Sequence, residues 1–579
     1  WTVTVSSPYD ADANVVVATI TSTFNNTSQF APGFSLSVGG GGTGSGADAF
    51  VVTKVADTND GACTLDNCSL REAITTANTA GGDVTITFAV DGGCSPTCTF
   101  APTSALPQIT ANSIVIDGYS QTGASENTIE YPNALNGTLN IVVDGVSAGG
   151  GVEGIDINGA DSVTIKGLVI QRFNGYGVLV QGGGTNNRIQ GNYIGMTSGG
   201  TIAAGNVTRG VRFESGQNYL GTDGDGSNDN KERNIISATS TGWNVDLNAN
   251  SNIVAGNFIG VDKDGSVDMG NASYNVGING LYNVIGTNGN GTSDAVEGNT
   301  ISGAATFGVY VLTGTGNIIA GNTIGLNSMG TIAIANVTGV QVATSANRIG
   351  TDADGTSDSF ERNIISGNSG SGIVITGAAA TGNRVAGNYI GVGSNGTGVL
   401  GNSSIGVSIV SNAADNTVGG ASSTYTNIIA NNGSDGVQIN GASASGNFVL
   451  RNTLYDNTGL GINLVSGAND GIGIPTIVHE NCAGSAFNLW GTVDNAGARE
   501  TVQIFIADSN NEEGQTFVGS TLASVLGAWV YRITSYTGAG TDYVVSGTEP
   551  TDGTSEFSTV WTSTKACDKK RRIIVVPSQ

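Results

Sequence analysis

From Asn187 to about Asn447 the chain alternates short apolar runs with polar corners. The runs are β-branched and three to five residues long, as in Asn234-Ile235-Ile236-Ser237 and Gly308-Val309-Tyr310-Val311. Apolar and polar positions alternate within them and no helical period separates them, so they predict strands. The pattern also recurs. Gly191-Asn192-Tyr193-Ile194-Gly195 returns as Gly256-Asn257-Phe258-Ile259-Gly260, Gly321-Asn322-Thr323-Ile324-Gly325 and Gly387-Asn388-Tyr389-Ile390-Gly391, at steps of 65, 65 and 66 residues. Asn218, Asn283 and Asn347, each leading a Leu or Ile and then Gly-Thr, keep nearly the same step, and so do Asn234, Asn299, Asn363 and Asn427.

Strands repeating without helices predict a solenoid, each strand stacked about 4.8 Å from its counterpart in the next coil. The Asn marks fall at intervals of 31, 16 and 18 residues. These predict coils of roughly 16–22 residues, with the longest interval a coil carrying an excursion on one wall. Gly supplies the positive-φ corners, and an Asn at one corner of every coil would stack as a hydrogen-bonded ladder. The fold class is therefore all-β: a parallel β-helix, right-handed by the crossover rule.

The flanks read differently. Residues 1–46 hold strand-like runs at 2–6, 15–22 and 34–38, then a glycine-rich linker. The solenoid spans 47–475. Within it Leu70, Ala73, Ile74 and Ala77 have helical spacing, placed to cap the open end. Arg71 and Glu72 on this helix read as a satisfied pair rather than as catalytic groups. The repeat stops near Pro475. Residues 476–564 predict an all-β module, with strands near 487–493, 502–507, 516–520, 528–534 and 543–546 at the spacing of a sandwich. A basic tail, 565–579, follows.

Composition narrows the partners. Among 579 residues there are 91 Gly, 9 Pro and a net charge of −25. That balance argues against nucleic acid and anionic membranes, and no run reaches the roughly 20 apolar residues of a membrane span. The chain opens on Trp1, as a chain trimmed of a leader would. Its six cysteines predict disulfides Cys63–Cys68, Cys94–Cys98 and Cys482–Cys567 and an oxidising, extracellular compartment. A metal site on the first four cysteines is the alternative, and neither pair has the C-x₂-C spacing. Sequons such as Asn25, Asn206, Asn336 and Asn395 are candidate glycosylation positions.

Cys68-Ser69-Leu70-Arg71-Glu72-Ala73 resembles the signature of the CSLREA-type secreted proteins, in which the motif precedes a right-handed parallel β-helix. Ile116-Asp117-Gly118-Tyr119-Ser120-Gln121 and Gly350-Thr351-Asp352-Ala353-Asp354-Gly355 are similar to recurrent sequences of those β-helices. Residues 511–519 and 553–558 resemble the immunoglobulin-like module that often follows them. The resemblance, over roughly residues 50–475, implies this fold and an extracellular, often cell-surface setting; it does not imply an activity.

Three kinds of site follow. A polysaccharide-cleaving β-helix needs converging carboxylates with a base, and the best such set is Asp144, Asp156 and Asp161 with Lys166 and Arg172. His479, the only histidine, stands at the module junction and reads as structural. Asp223, Asp225 and Asp229 recur as Asp352, Asp354 and Asp358; alternating carboxylates around Gly suit Ca²⁺, and solvated acidic turns account for the same pattern. Finally, Thr2, Val3, Thr4 and Val5 and the tail Lys569, Lys570, Arg571, Arg572, Ile573, Ile574, Val575 and Val576 are strand-like ends suited to head-to-tail docking on a neighbouring copy. The resulting expectation is a structural or adhesive surface solenoid that assembles into a homopolymeric filament. A polysaccharide lyase or hydrolase, or a non-catalytic binder of surface glycans, is the alternative.

Overall fold

The computed structural model describes residues 48–567 apart from 62, 65, 92–93, 95, 271–272, 484–485, 495–499, 510–512 and 535–537, together with the strand pair 15–16 and 34–35. Three long parallel sheets of 13, 12 and 11 strands run side by side along one axis. Each coil gives one strand to each sheet, for example Arg188–Gln190 to the first, Tyr193–Ile194 to the second and Arg209–Phe213 to the third. Stacking is in register: Ile189 lies on Leu220, Ile194 on Ile236 and Val211 on Val245. This is a parallel β-helix. Its interior is a column of branched aliphatics, of which Ile194, Ile236, Ile259, Ile301, Ile324, Ile365, Ile390 and Ile429 are all buried. Each such side chain contributes about 1.5–3 kcal/mol, so the column is the main source of stability.

The coils are longer than the sequence marks predict. First-sheet strands start at 188, 219, 253, 284, 318, 348, 384, 417 and 448, 30 to 36 residues apart. The 65-residue repeat is thus two coils, and the shorter Asn intervals separate corners within a coil. They mislead because asparagines line three corners, not one. Between the first and second sheets the backbone N–H of Asn192 donates to Asn234 Oδ1, and the chain of bonds continues through Asn257, Asn299, Asn322 and Asn363. A second ladder precedes the first sheet, running from Asn187 through Asn218, Asn252 and Asn283 to Asn447. A third, between the second and third sheets, links Asn336, Asn368, Asn402, Asn432 and Asn457. Asn206 and Asn336 are buried, so these two sequons cannot carry a glycan in the folded chain, whereas Asn395 is exposed.

Two kinds of coil alternate. In one, an acidic loop joins the first sheet to the second (223–232, 288–297 and 352–361). In the other, a short hairpin joins the second sheet to the third, closed by the bridges Met196–Ala203, Val261–Asp268, Leu326–Ala333 and Val392–Val399. The outer face of the second sheet is therefore the floor of a trough between two stacks of loops.

Both ends are covered. The helix Leu70–Ala80 starts on a capping box in which Ser69 accepts from the Glu72 N–H and Glu72 accepts from the Ser69 N–H. Leu70, Ala73, Ile74 and Ala77 join the solenoid core. Arg71 and Glu72 do not pair with each other: Arg71 holds Asp57, and Glu72 accepts from the Asp60 N–H and faces Lys54. At the other end stands a module of two antiparallel sheets, Thr476–Ala483, Ala486–Thr492 and Ala528–Ile533 in one, Thr501–Ala507, Gly514–Leu522, Asp542–Glu549, Gly553–Thr554 and Trp561–Thr562 in the other. Strand alternation gives Thr501–Ala507 two apolar faces. Val502 and Ile504 face Phe487, Leu489 and Tyr543 in the module's own core, while Phe505 and Ala507 join the solenoid core. The disulfides are Cys63–Cys68, Cys94–Cys98 and Cys482–Cys567. Val15–Val16 pairs antiparallel with Phe34–Ser35. The expected strand 2–6, which contains Thr2–Val5, and the tail residues Lys569–Val576 lie outside the described residues.

Candidate functional site

The carboxylates proposed for cleavage are not brought together. Asp144, at the end of a second-sheet strand, is held by Arg172 and Gln171. Asp156 is on the third sheet with Gln108 and Gln181. Asp161 caps Thr185 at the next corner, and Lys166 pairs with Asp117. Each group is used in a separate structural contact. His479 is exposed on the outer strand of the module.

The acidic loops do converge, with one change of membership. Asp223, Asp225 and Asp229 each offer an oxygen within 4.8 Å of one another, whereas the second cluster is Asp352, Asp358 and Glu361. Asp354 is not part of it; its Oδ1 accepts from the Thr356 N–H. The loops stack: Ser293 donates to Asp229 and Ser357 to Asp294. In the second cluster Arg348 spans Asp352 and Glu361. In the first, Arg188 takes only Asp223 Oδ2, and the buried Asp223 Oδ1 has no hydrogen-bond partner among the described residues. Three carboxylates with one orphan oxygen fit a hard divalent cation such as Ca²⁺.

Two glutamates beneath these loops are strained electrostatically. Burial pushes Glu232 up to about 7, with Asp223 and Asp229 adding repulsion. Burial likewise raises Glu297 to about 7, with Asp294 and Asp229 contributing. A carboxyl whose folded pKa exceeds its unfolded value stabilises fully below the unfolded pKa, and the benefit is lost as pH rises through 7. Thermal stability is thus expected to fall between pH 5 and pH 8, by on the order of 1 kcal/mol per group after solvent screening. Glu297→Gln should flatten that profile. An unchanged pH profile in the variant would remove this account.

The third sheet carries a feature that motif reading missed. Along its outer face Tyr176, Arg209 and Trp243 are in register, and Leu179, Arg212 and Asp246 form the adjacent row. Trp243 stacks on Tyr274 at 4.8 Å, and Tyr274 meets Phe307 and Tyr310 at 5.1 and 5.4 Å. All four rings are half-buried. Gly277 makes room: a Cβ there would lie 2.5 Å from the Trp243 ring. Arg209 lies over Trp243 at 4.4 Å and, with Arg212, donates to Asp246 Oδ2. Asp246 is 1% exposed, its pKa is raised by burial, and its Oδ1 is buried without a hydrogen-bond partner among the described residues. The signal was present in the sequence: Tyr176, Arg209, Trp243, Tyr274 and Phe307 are one coil apart, visible once the coil length is known.

No family model and no curated protein matches the sequence. Among solved structures, the A-module of the mannuronan C-5 epimerase AlgE6 from Azotobacter vinelandii is 13% identical over 69% of this chain and 93% of its own, with a TM-score of 0.28. The tailspike protein of E. coli bacteriophage HK620, solved with a pentasaccharide, is 11% identical over 80% and 86%, with a TM-score of 0.31. Similarity this low carries no inference about this chain, whose fold rests on its own three parallel sheets.

Proposed function

We propose that this chain is an extracellular, adhesive β-solenoid that binds a glycan without cleaving it, through the outer face of the third sheet. The aromatic row Trp243, Tyr274, Phe307 and Tyr310 carries the reading. Half-exposed rings offer apolar faces to the C–H faces of sugars. Arg209 and Arg212 beside them, part-exposed and held by the buried Asp246, offer donors for hydroxyls. The separation of Asp144, Asp156 and Asp161 speaks against cleavage. Disulfides favour the extracellular setting, and the immunoglobulin-like reading of the C-terminal module suits a surface protein. Glycan titration by calorimetry should give saturable binding. Trp243→Ala should weaken it about tenfold, a loss of about 1.4 kcal/mol, at unchanged melting temperature. Absence of binding across acidic and neutral polysaccharides, or new reducing ends on incubation, would overturn the proposal.

The orphan oxygen of Asp223 favours a second element. Asp223, Asp225 and Asp229 would hold Ca²⁺ and pin the loop stack beside the trough. At pH 8, millimolar Ca²⁺ should raise the melting temperature of the wild type and not of Asp223→Asn. Equal responses would exclude this site.

A further inference from the structure

The trough over the second sheet is filled along only part of its length. Residues 121–140 leave the solenoid and lie across the outer face as a strap. Leu135 and Leu139 pack on Val142, Val169, Tyr193, Ile235 and Phe258 in a second hydrophobic cluster outside the main core. Arg233 fastens the strap. Its Nε donates to the Gly256 carbonyl, and its guanidinium lies over Phe258 at 4.7 Å. Its Nη1 and Nη2 donate to the strap carbonyls of Ile129 and Asn133, at 3.0 and 3.1 Å. The opposite rim contributes the Lys263 carbonyl, which accepts from the Leu135 N–H. Between the two carbonyls held by Arg233, the Tyr131 hydroxyl reaches Thr323 Oγ1.

Two repeats further on the same machinery is present and open. Glu232-Arg233-Asn234-Ile235-Ile236-Ser237 recurs, residue for residue, as Glu361-Arg362-Asn363-Ile364-Ile365-Ser366. Arg362 Nε donates to the Gly387 carbonyl, and its guanidinium lies over Tyr389 at 4.2 Å. That is the posture of Arg233 toward Gly256 and Phe258. Its Nη1 and Nη2, however, have no hydrogen-bond partner among the described residues. The floor is uncovered to match: Ile235 and Phe258 are fully buried, while their counterparts Ile364 and Tyr389, and Ile428 one coil on, are half-exposed. Ser394 stands in the place of Lys263 and is exposed. On the rims Phe360 is 49% and Val399 76% exposed. Both add apolar surface at the two rims of the open floor.

We infer that the trough around Arg362 and Tyr389 is a docking site for a turn-forming polypeptide segment of a partner protein, bound as the strap is bound around Arg233, where the Asn133 N–H donates to the Glu130 carbonyl. The occupant is specified by the filled copy. It presents two backbone carbonyls four residues apart to the two Nη groups, lays aliphatic side chains on Ile364 and Ile428, and runs between the acidic-loop rim and the hairpin rim. One difference sets its middle side chain. Two coils after Arg233 stands Gly298, where a Cβ would lie 3.1 Å from the Tyr131 ring; two coils after Arg362 stands Thr426. The second slot is shallower, so a side chain smaller than tyrosine fits there better.

The test uses the full chain and two synthetic peptides: one copying residues 127–139, the other the same with the tyrosine replaced by leucine, each with a photocrosslinker at its N-terminus. Both should bind saturably, the leucine peptide more tightly. Arg362→Ala and Tyr389→Ala should each weaken binding at least tenfold at unchanged melting temperature, since both side chains are partly exposed. Crosslinks should map to 352–401. No saturable binding at millimolar peptide, binding indifferent to both substitutions, or crosslinks at 223–270 from displacement of the chain's own strap would each overturn the inference.

Discussion

Asn322→Ala is expected to destabilise the solenoid by about 3–5 kcal/mol, the largest effect of any single polar substitution considered. The side chain sits at the corner between the first and second sheets and is 1% exposed. Its Oδ1 accepts both the backbone N–H and the Nδ2 of Asn299, at 3.1 and 2.9 Å. Its Nδ2 donates to the carbonyls of Ile285 and Ala320 and to Asn363 Oδ1. Truncation therefore removes five bonds and leaves the Asn299 N–H buried without an acceptor. The five bonds share one oxygen and two N–H groups, so together they contribute about 2–3 kcal/mol net, and the orphaned buried donor costs about 1–2 kcal/mol more. The damage propagates poorly along a solenoid, because each coil touches only its neighbours. Urea denaturation should show the loss, and hydrogen exchange should quicken first at the amides of the coils holding Asn299 and Asn363. Asn322→Asp tests the donor half: its oxygen faces two carbonyls, so it should be worse than alanine at pH 8, where a buried carboxylate is charged, and milder at pH 4. A shift below about 1 kcal/mol for the alanine variant would mean the ladder is decorative.

The ladder also explains what could and could not be read from the sequence. The period, the strand runs and the all-β class were legible because the inward Ile and the corner Asn are forced at every coil by burial and backbone geometry. The coil length was not. Equivalent Asn residues at three corners give a spacing signal at fractions of a coil, and pairing register, which would sort them, is a property of the stacked state. The helix 70–80 was legible from the spacing of Leu70, Ala73, Ile74 and Ala77; the capping box of Ser69 with Glu72 emerges only in the structure. The acidic clusters were found, but Glu361 replaces Asp354 because a loop's carboxylates converge through space and not by their order. The aromatic row on the third sheet and the open copy of the strap site escaped for the same reason. Each is assembled from single residues one or two coils apart, and only the correct coil length aligns them. Arg362 gives nothing away in the sequence beyond repeating Arg233; its meaning comes from the strap that covers one copy and not the other.

Removing the C-terminal module is expected to make the solenoid self-associate through its last coil. The module covers an edge that would otherwise be open. Gln503 Oε1 accepts the Arg451 N–H at 2.9 Å, and Asp508 Oδ2 the Asp456 N–H at 3.2 Å. Glu513 accepts both the N–H and the Nδ2 of Asn457, at 2.9 Å each, and so ends the third ladder. Glu556 Oε1 accepts the Leu464 N–H and Thr554 Oγ1 the Val449 N–H. Phe505, Ala507, Val544 and Phe557 close the apolar column beneath. A chain ending at residue 475 would expose five unpaired amides spread over three sheet edges, around an open hydrophobic face, which is the template for edge-to-edge pairing. The partner edge is constrained. The helix 70–80 packs on the other end of the column, so the exposed last coils should meet each other, tail to tail, and give dimers before larger aggregates. In the full chain this face is occupied, so head-to-tail growth through it is closed, and any assembly by Thr2–Val5 or Lys569–Val576 would have to use another surface. Sedimentation velocity should show concentration-dependent dimers for residues 1–475 under conditions where the full chain is a monomer at that face. Phe557→Ala, which keeps the module, should cost about 3–5 kcal/mol in the solenoid transition and produce the same dimer in part. A truncated chain that stays monomeric with an unchanged melting temperature would show that the last coil needs no cover.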